Sequence, residues 1–156
     1  MSQHMRALCV LAGLALTGAP AAAQSAQAEV LGTIDAFLAA MRAKDTAAMA
    51  QHTDTLTRLT LLRPGPNGTR VVVLRGSEFF QAVARPDQPA IDEPIRKPVV
   101  QIDGDLATVW AEYQVRRDGK VTHCGYDAFH LARLGGKWKI LNVSDTYRSS
   151  GCGEPW

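Results

Sequence analysis

DGDLATVWAEYQVRRDGKVTHCGYDAFHLARLGGKWKILNVSDTYR, residues 103–148, decides the fold. Residues 106–116 carry Val, Trp and Tyr without proline, which predicts a strand. Asp118-Gly119 then supplies the two left-handed residues of a type I′ hairpin turn. Residues 121–134 run back, Gly135-Gly136 makes a second two-residue turn, and residues 137–147 form a third strand. With two-residue loops and period-two alternation, the register follows from the turns. Pairing Arg117 with Lys120 sets Trp110 opposite Asp127 and Gln114 opposite His123. Pairing Leu134 with Lys137 sets Asp127 opposite Ser144, Gly125 opposite Thr146 and His123 opposite Arg148.

On this register one face is graded. Leu106, Phe129, Leu131, Trp138 and Ile140 form an apolar end. Glu112, Gln114, His123, Asp127, Ser144, Thr146 and Arg148 form a polar end, with Trp110 and Asn142 between. A buried face should be uniformly apolar and a solvated one uniformly polar. A graded face therefore predicts a blind cavity with polar groups nearer its mouth.

Residues 1–23 read as a secretory leader: His4 and Arg6, an apolar run over 7–16, and Ala21-Ala22-Ala23 at the cleavage site. The apolar run is too short to span a bilayer. The mature chain, residues 24–156, is expected in the periplasm or outside the cell as one domain. Net charge is +2, or +1 once Arg6 leaves with the leader, which offers no field for nucleic acid or an anionic membrane. The leader takes Cys9 with it. Cys124 and Cys152 remain, and in an oxidising compartment they are expected to pair.

Val30, Ile34, Phe37, Leu38 and Met41 make one stripe of a helix over 28–44. Asp45 can cap a short second helix ending near His52. Strands over 55–62 and 69–75 flank the turn signal Pro64-Gly65-Pro66-Asn67-Gly68. A short helix over 78–84 turns Phe79, Phe80 and Val83 inward, and the proline-rich stretch 86–98 leads to an edge strand.

Helices followed by a long antiparallel sheet is an α+β order. The chain here resembles the nuclear transport factor 2-like superfamily, with its SnoaL-like, ketosteroid-isomerase-like and lumazine-binding secreted members. The likeness is carried by residues 103–110, Asp118-Gly119-Lys120, residues 123–129 and residues 136–140. It implies a cystatin-like roll: a cone-shaped curved antiparallel sheet with N-terminal helices on its concave face, a pocket between them, and often a dimer through the sheet. It implies no particular reaction.

Asp127 in a partly apolar cavity would hold its proton and is the first candidate acid or base. The alternative is a structural carboxylate bonded to Ser144. His123, kept neutral by Arg148, is the second candidate. Four residues apart on a strand, the two are about 13 Å apart and cannot form a dyad. Trp110, Glu112, Asn142, Ser144, Thr146 and Arg148 are the expected ligand contacts. The histidines are scattered and no HxH or HExxH spacing occurs, so neither a metal nor a cofactor is expected. Ala107, Val109, Ala111, Tyr113, Val115, Ala128, Leu141 and Val143 would form an apolar outer face that a homodimer covers. The expected function is binding of a small, partly apolar molecule. Acid–base turnover of the isomerase, dehydratase or cyclase type from Asp127 or His123 is the alternative.

Overall fold

A computed structural model describes residues 18–156 of the chain. The expected leader, residues 1–23, thus lies outside the described residues as far as residue 17. Helix α1, Gly18–Arg42, opens on an alanine-rich run of high helix propensity. It buries the predicted stripe, with Val30 and Ile34 fully covered. Helix α2, Thr46–Gln51, starts where the Asp45 carboxylate accepts from the Ala48 N–H at 2.9 Å. Strands β1 (Thr53–Gly65) and β2 (Gly68–Arg75) form a hairpin closed by Pro66-Asn67. Helix α3, Gly76–Val83, buries Phe80 and Val83, and its Glu78 accepts from the Arg75 N–H at 2.8 Å. Strands β3 (Ile95–Asp103), β4 (Leu106–Arg117), β5 (Lys120–Leu134) and β6 (Lys137–Asp145) follow.

The six strands make one sheet in the order β2-β1-β6-β5-β4-β3. Four neighbouring pairs are antiparallel, and β1 runs parallel to β6. The sequence reading did not place that parallel seam, because the two strands lie far apart in the chain. Both expected turns are present, with positive φ at Asp118, Gly119, Gly135 and Gly136.

The register between the turns differs from the expected one. Arg117 does pair with Lys120, but Val115 pairs with His123, so Thr122 is an extra residue on β5. Leu134 does pair with Lys137, but His130 pairs with Asn142, so Leu141 is extra on β6. Each is a β-bulge, and beyond it the partner strand presents the opposite face. Asp127 accordingly lies opposite Ala111 and Asp145, not Trp110 and Ser144.

The concave face of β4 is therefore Ala107, Val109, Ala111, Tyr113 and Val115, all buried; the first three pack with Phe129, Leu131, Ile140 and Val143 in the hydrophobic core. These residues are core. The apolar outer patch expected of Ala107, Val109, Ala111, Tyr113, Val115 and Val143 is corrected: the outer face carries Trp110, Glu112, Tyr126 and Asn142. Ala128, paired with Trp110, stays outward, and Leu141 is the bulged residue. A disulfide joins Cys124 to Cys152 and pins the C-terminal tail across that outer face. Gln114, fully buried, holds the same tail: its amide donates to the carbonyls of Cys152 (2.8 Å) and Glu154 (3.0 Å).

Candidate functional site

A cavity of about 510 Å³ lies between the concave sheet face and the helices. Phe37 and Met41 of α1, Phe79 and Val83 of α3, and Leu59, Leu61, Phe129 and Val143 of the sheet supply apolar walls. Arg63, Glu93, Asp127 and Asp145 add a charged layer, and His123, Tyr147 and Arg117 lie further along the strands. Residues 85–91 border it too, held in place by Lys44, whose ammonium donates to the carbonyls of Arg85 (2.9 Å) and Gln88.

Asp127 is 2 % exposed, and its Oδ2 has no hydrogen-bond partner. Burial, then the charges of Glu93 and Asp145, push its carboxyl well above the usual range, against the pull of Arg63. A neutral carboxylic acid can donate as well as accept. Glu93 behaves alike: burial first, then the Asp145 charge, lift it to about 8. Asp145, the third carboxyl, is gripped by Arg63 through two bonds of 2.5 and 2.7 Å. Three carboxyls facing one engaged guanidinium in a desolvated space cannot all ionise.

His123 stacks on Tyr147 at 4.8 Å and meets Tyr113 edge-on at 5.9 Å. Its pKa falls to about 4, through burial first and then the Arg63 charge, with Arg117 adding to it. The ring is neutral at pH 7, as expected, although the cause is not Arg148. The Thr122 hydroxyl donates to Val115 O at 3.2 Å and lies 3.0 Å from His123 Nδ1. Tyr113 donates its hydroxyl to Thr146 O at 2.7 Å, and burial pushes its pKa up.

The expected site divides in two. Asp127 and His123 line the cavity, and no hydrogen bond joins them. The six expected ligand contacts do not line it, because the two bulges turn their segments outward. Trp110, 48 % exposed, stacks on Tyr126 with centroids 5.0 Å apart. Glu112 is bound by Arg96 at 2.6 Å and Lys97 at 3.0 Å, which draw its pKa down to about 2. Asn142 donates to Ser144 Oγ at 2.8 Å, so Ser144 is not the partner of Asp127. Thr146 Oγ1 accepts from the Tyr126 N–H at 2.9 Å, and Arg148 pairs with the Cys124 backbone beside the disulfide. Glu112 and Arg148 border a separate shallow groove near Trp156.

Arg63, Glu93, Asp145, Tyr147 and Arg117 were missed. The signal that could have found three of them is Gly125, in mid-strand. A Cβ there would sit 2.2 Å from Thr146 O, and a strand glycine marks a close backbone approach or irregular pairing. Among the described residues no cluster of His, Cys, Asp or Glu is arranged to hold a metal ion. No helix among them is long and apolar enough to cross a membrane.

A curved six-stranded sheet with helices on its concave face and an acid-lined cavity between them is the nuclear transport factor 2-like, or cystatin-like, architecture. No family model and no curated protein matches this sequence. Solved structures do. A Mycobacterium tuberculosis protein of unknown function superposes with TM-score 0.71 at 11 % identity, covering 85 % of this chain and 78 % of its own. A candidate dehydratase of the nuclear transport factor 2-like family from Streptomyces avermitilis gives 0.64 at 16 % identity, over 82 % and 99 %. The beta subunit of a candidate aromatic-ring-hydroxylating dioxygenase from Novosphingobium aromaticivorans gives 0.66 at 14 % identity, over 85 % and 95 %. At these identities the likeness establishes the fold.

Proposed function

We propose that the chain binds a small, partly apolar molecule in this cavity, oriented by a hydrogen bond to the neutral carboxyl of Asp127. The observation that carries the reading is the partnerless Oδ2 of Asp127, buried at the wall of a space large enough for a ligand. A buried polar atom without a partner costs about 1–3 kcal/mol, and a ligand acceptor placed there would recover it. The test is native mass spectrometry of the protein purified from its own cells. A bound mass should be present, be lost in Asp127→Leu and persist in Trp110→Ala. Loss in Trp110→Ala with retention in Asp127→Leu would refute the placement.

A second reading, acid–base turnover, is favoured by one further observation. Two proton-holding carboxyls, Asp127 and Glu93, and a neutral His123 face the same space. One neighbouring fold is a candidate dehydratase. An Asp127→Asn variant that keeps affinity for a candidate substrate but loses turnover selects this reading over simple binding.

Export is part of the proposal. Its support is the disulfide, a bond that forms and persists in oxidising compartments. Recovery of a periplasmic form starting near Gln24 tests it. A homodimer through the outer sheet face also belongs here, now centred on Trp110 with exposed Val99 and Leu106 near it. Light scattering that shows a monomer at micromolar concentration would remove it.

A further inference from the structure

Building on the reading of the cavity as a ligand site, we infer that its occupant is an elongated amphipathic monocarboxylate. Its carboxylate lies at Arg117 and an uncharged polar end lies at Asp127.

Three guanidinium groups border the cavity, and two are already matched. Arg63 is taken by Asp145 at 2.5 Å, and Arg85 by Asp87 through bonds of 3.1 and 2.7 Å. Arg117 is half-buried, and its one hydrogen bond is a long one, Nη1 to the Pro89 carbonyl at 3.4 Å. Among the described residues it makes no ion pair, so it is the cavity's unmatched cation. A planar guanidinium half out of water is suited to a carboxylate, which it can grip through two parallel bonds.

The two ends of the cavity carry opposite fields. At the far end of β4, the charge of Arg117 helps keep His123 unprotonated. In the charged layer, neighbouring carboxylates help keep Asp127 and Glu93 protonated. Each end therefore discourages a charge of the sign already there. An ammonium ligand would meet Arg117 at one end and give up its solvation at the other. A dianion would find no second free guanidinium. A single negative charge at Arg117 leaves the acid layer in its neutral, hydrogen-bonding form.

Length follows from the register. Arg117 stands six positions along β4 from Ala111, the partner of Asp127, a backbone span of about 20 Å that the arginine side chain shortens. Val115 stands between the two on β4, and Phe79 and Phe37 line the same cavity from the helices, which suits an apolar body.

The experiment uses 6-hydroxy-2-naphthoate, 4-phenylbutanoate and decanoate, each beside its primary amide, titrated into the full mature chain by ligand-detected NMR and calorimetry. At least one carboxylate should bind roughly 10- to 100-fold tighter than its amide, the range for a hydrogen-bonded charge. Arg117→Gln should erase that advantage without weakening the amide, and Arg117→Lys should keep part of it. Equal binding of acid and amide, or an advantage that survives Arg117→Gln, overturns the inference. If amides alone bind and Asp127→Leu weakens them, the cavity reading stands and this one falls. Binding by neither series takes both down.

Discussion

Replacing Glu93 with Gln should stabilise the protein, and only above about pH 5. The Glu93 carboxyl is lifted from the usual 4.5 to about 8, by burial first and then by the Asp145 charge. Below pH 4.5 the folded and unfolded chains both hold this proton, and the residue has no pH-linked cost. Between 4.5 and about 8 the unfolded chain releases the proton while the folded chain keeps it, so stability declines as pH rises. At pH 7 the interval is 2.5 units above 4.5, a ceiling of about 3.4 kcal/mol at 1.36 per unit. Glu93 is only half-buried, and solvent screening brings this to about 1.5–2 kcal/mol. For a chain of this size that is roughly 5–8 °C in Tm. Differential scanning calorimetry from pH 4 to 8.5 checks it: the Tm curves of wild type and variant should meet near pH 4 and diverge above pH 5. Parallel curves, or a variant less stable at pH 8, would refute the claim that Glu93 is protonated in a desolvated site.

Three further outcomes follow from the same geometry. Arg63→Gln strands the Asp145 carboxylate, whose side chain is 10 % exposed, and should cost about 3 kcal/mol in urea unfolding; Asp145→Asn added to it should restore most of the loss. Gly125→Ala places a methyl group 2.2 Å from the Thr146 carbonyl and should destabilise by more than about 2 kcal/mol, whereas Gly32→Ala on the exposed side of α1, with open space around it, should not destabilise in thermal melts. Cys152→Ser opens the covalent closure between residues 28 apart and should cost roughly 3–4 kcal/mol on the chain-entropy model, measured as a shift in urea midpoint that reducing agent reproduces in the wild type.

The fold was legible because its signals are local. The stripe Val30–Met41 has helix spacing, Asp45 is a cap, and the two-residue turns at Asp118-Gly119 and Gly135-Gly136 join the strands they were expected to join. The cavity's presence and its β5 wall were legible too, since His123, Asp127 and Phe129 share a face in either register. The walls from β4 and the end of β6 were not. A turn fixes register only to the first bulge, and Thr122 and Leu141 carry no residue-type signature of bulging. Besides Gly125, one local cue pointed the right way. The alternate set Ala107, Val109, Ala111, Tyr113 and Val115 is apolar throughout, as a core-facing set should be, whereas Trp110, Glu112 and Gln114 grade into polarity. Strand-internal alternation was the better guide than hairpin arithmetic. Arg63 and Glu93 needed the parallel β1–β6 seam and the loop before β3, which no local pattern encodes.

The two extra residues also explain why one sheet carries two unlike faces. Without Leu141 as an insertion, Asp145 would point away from Asp127, and Arg63 would lose the carboxylate it grips. Without Thr122, Gln114 would turn inward and the tail would lose its anchor, the amide that bonds Cys152 and Glu154. The same shift sends Arg148 out to the disulfide, so the cationic role once expected of it falls to Arg117 and Arg63. The acid layer and the pinned tail are thus consequences of one pair of backbone irregularities. A deletion of Thr122 that returns Trp110 to the concave face would have to disturb both at once.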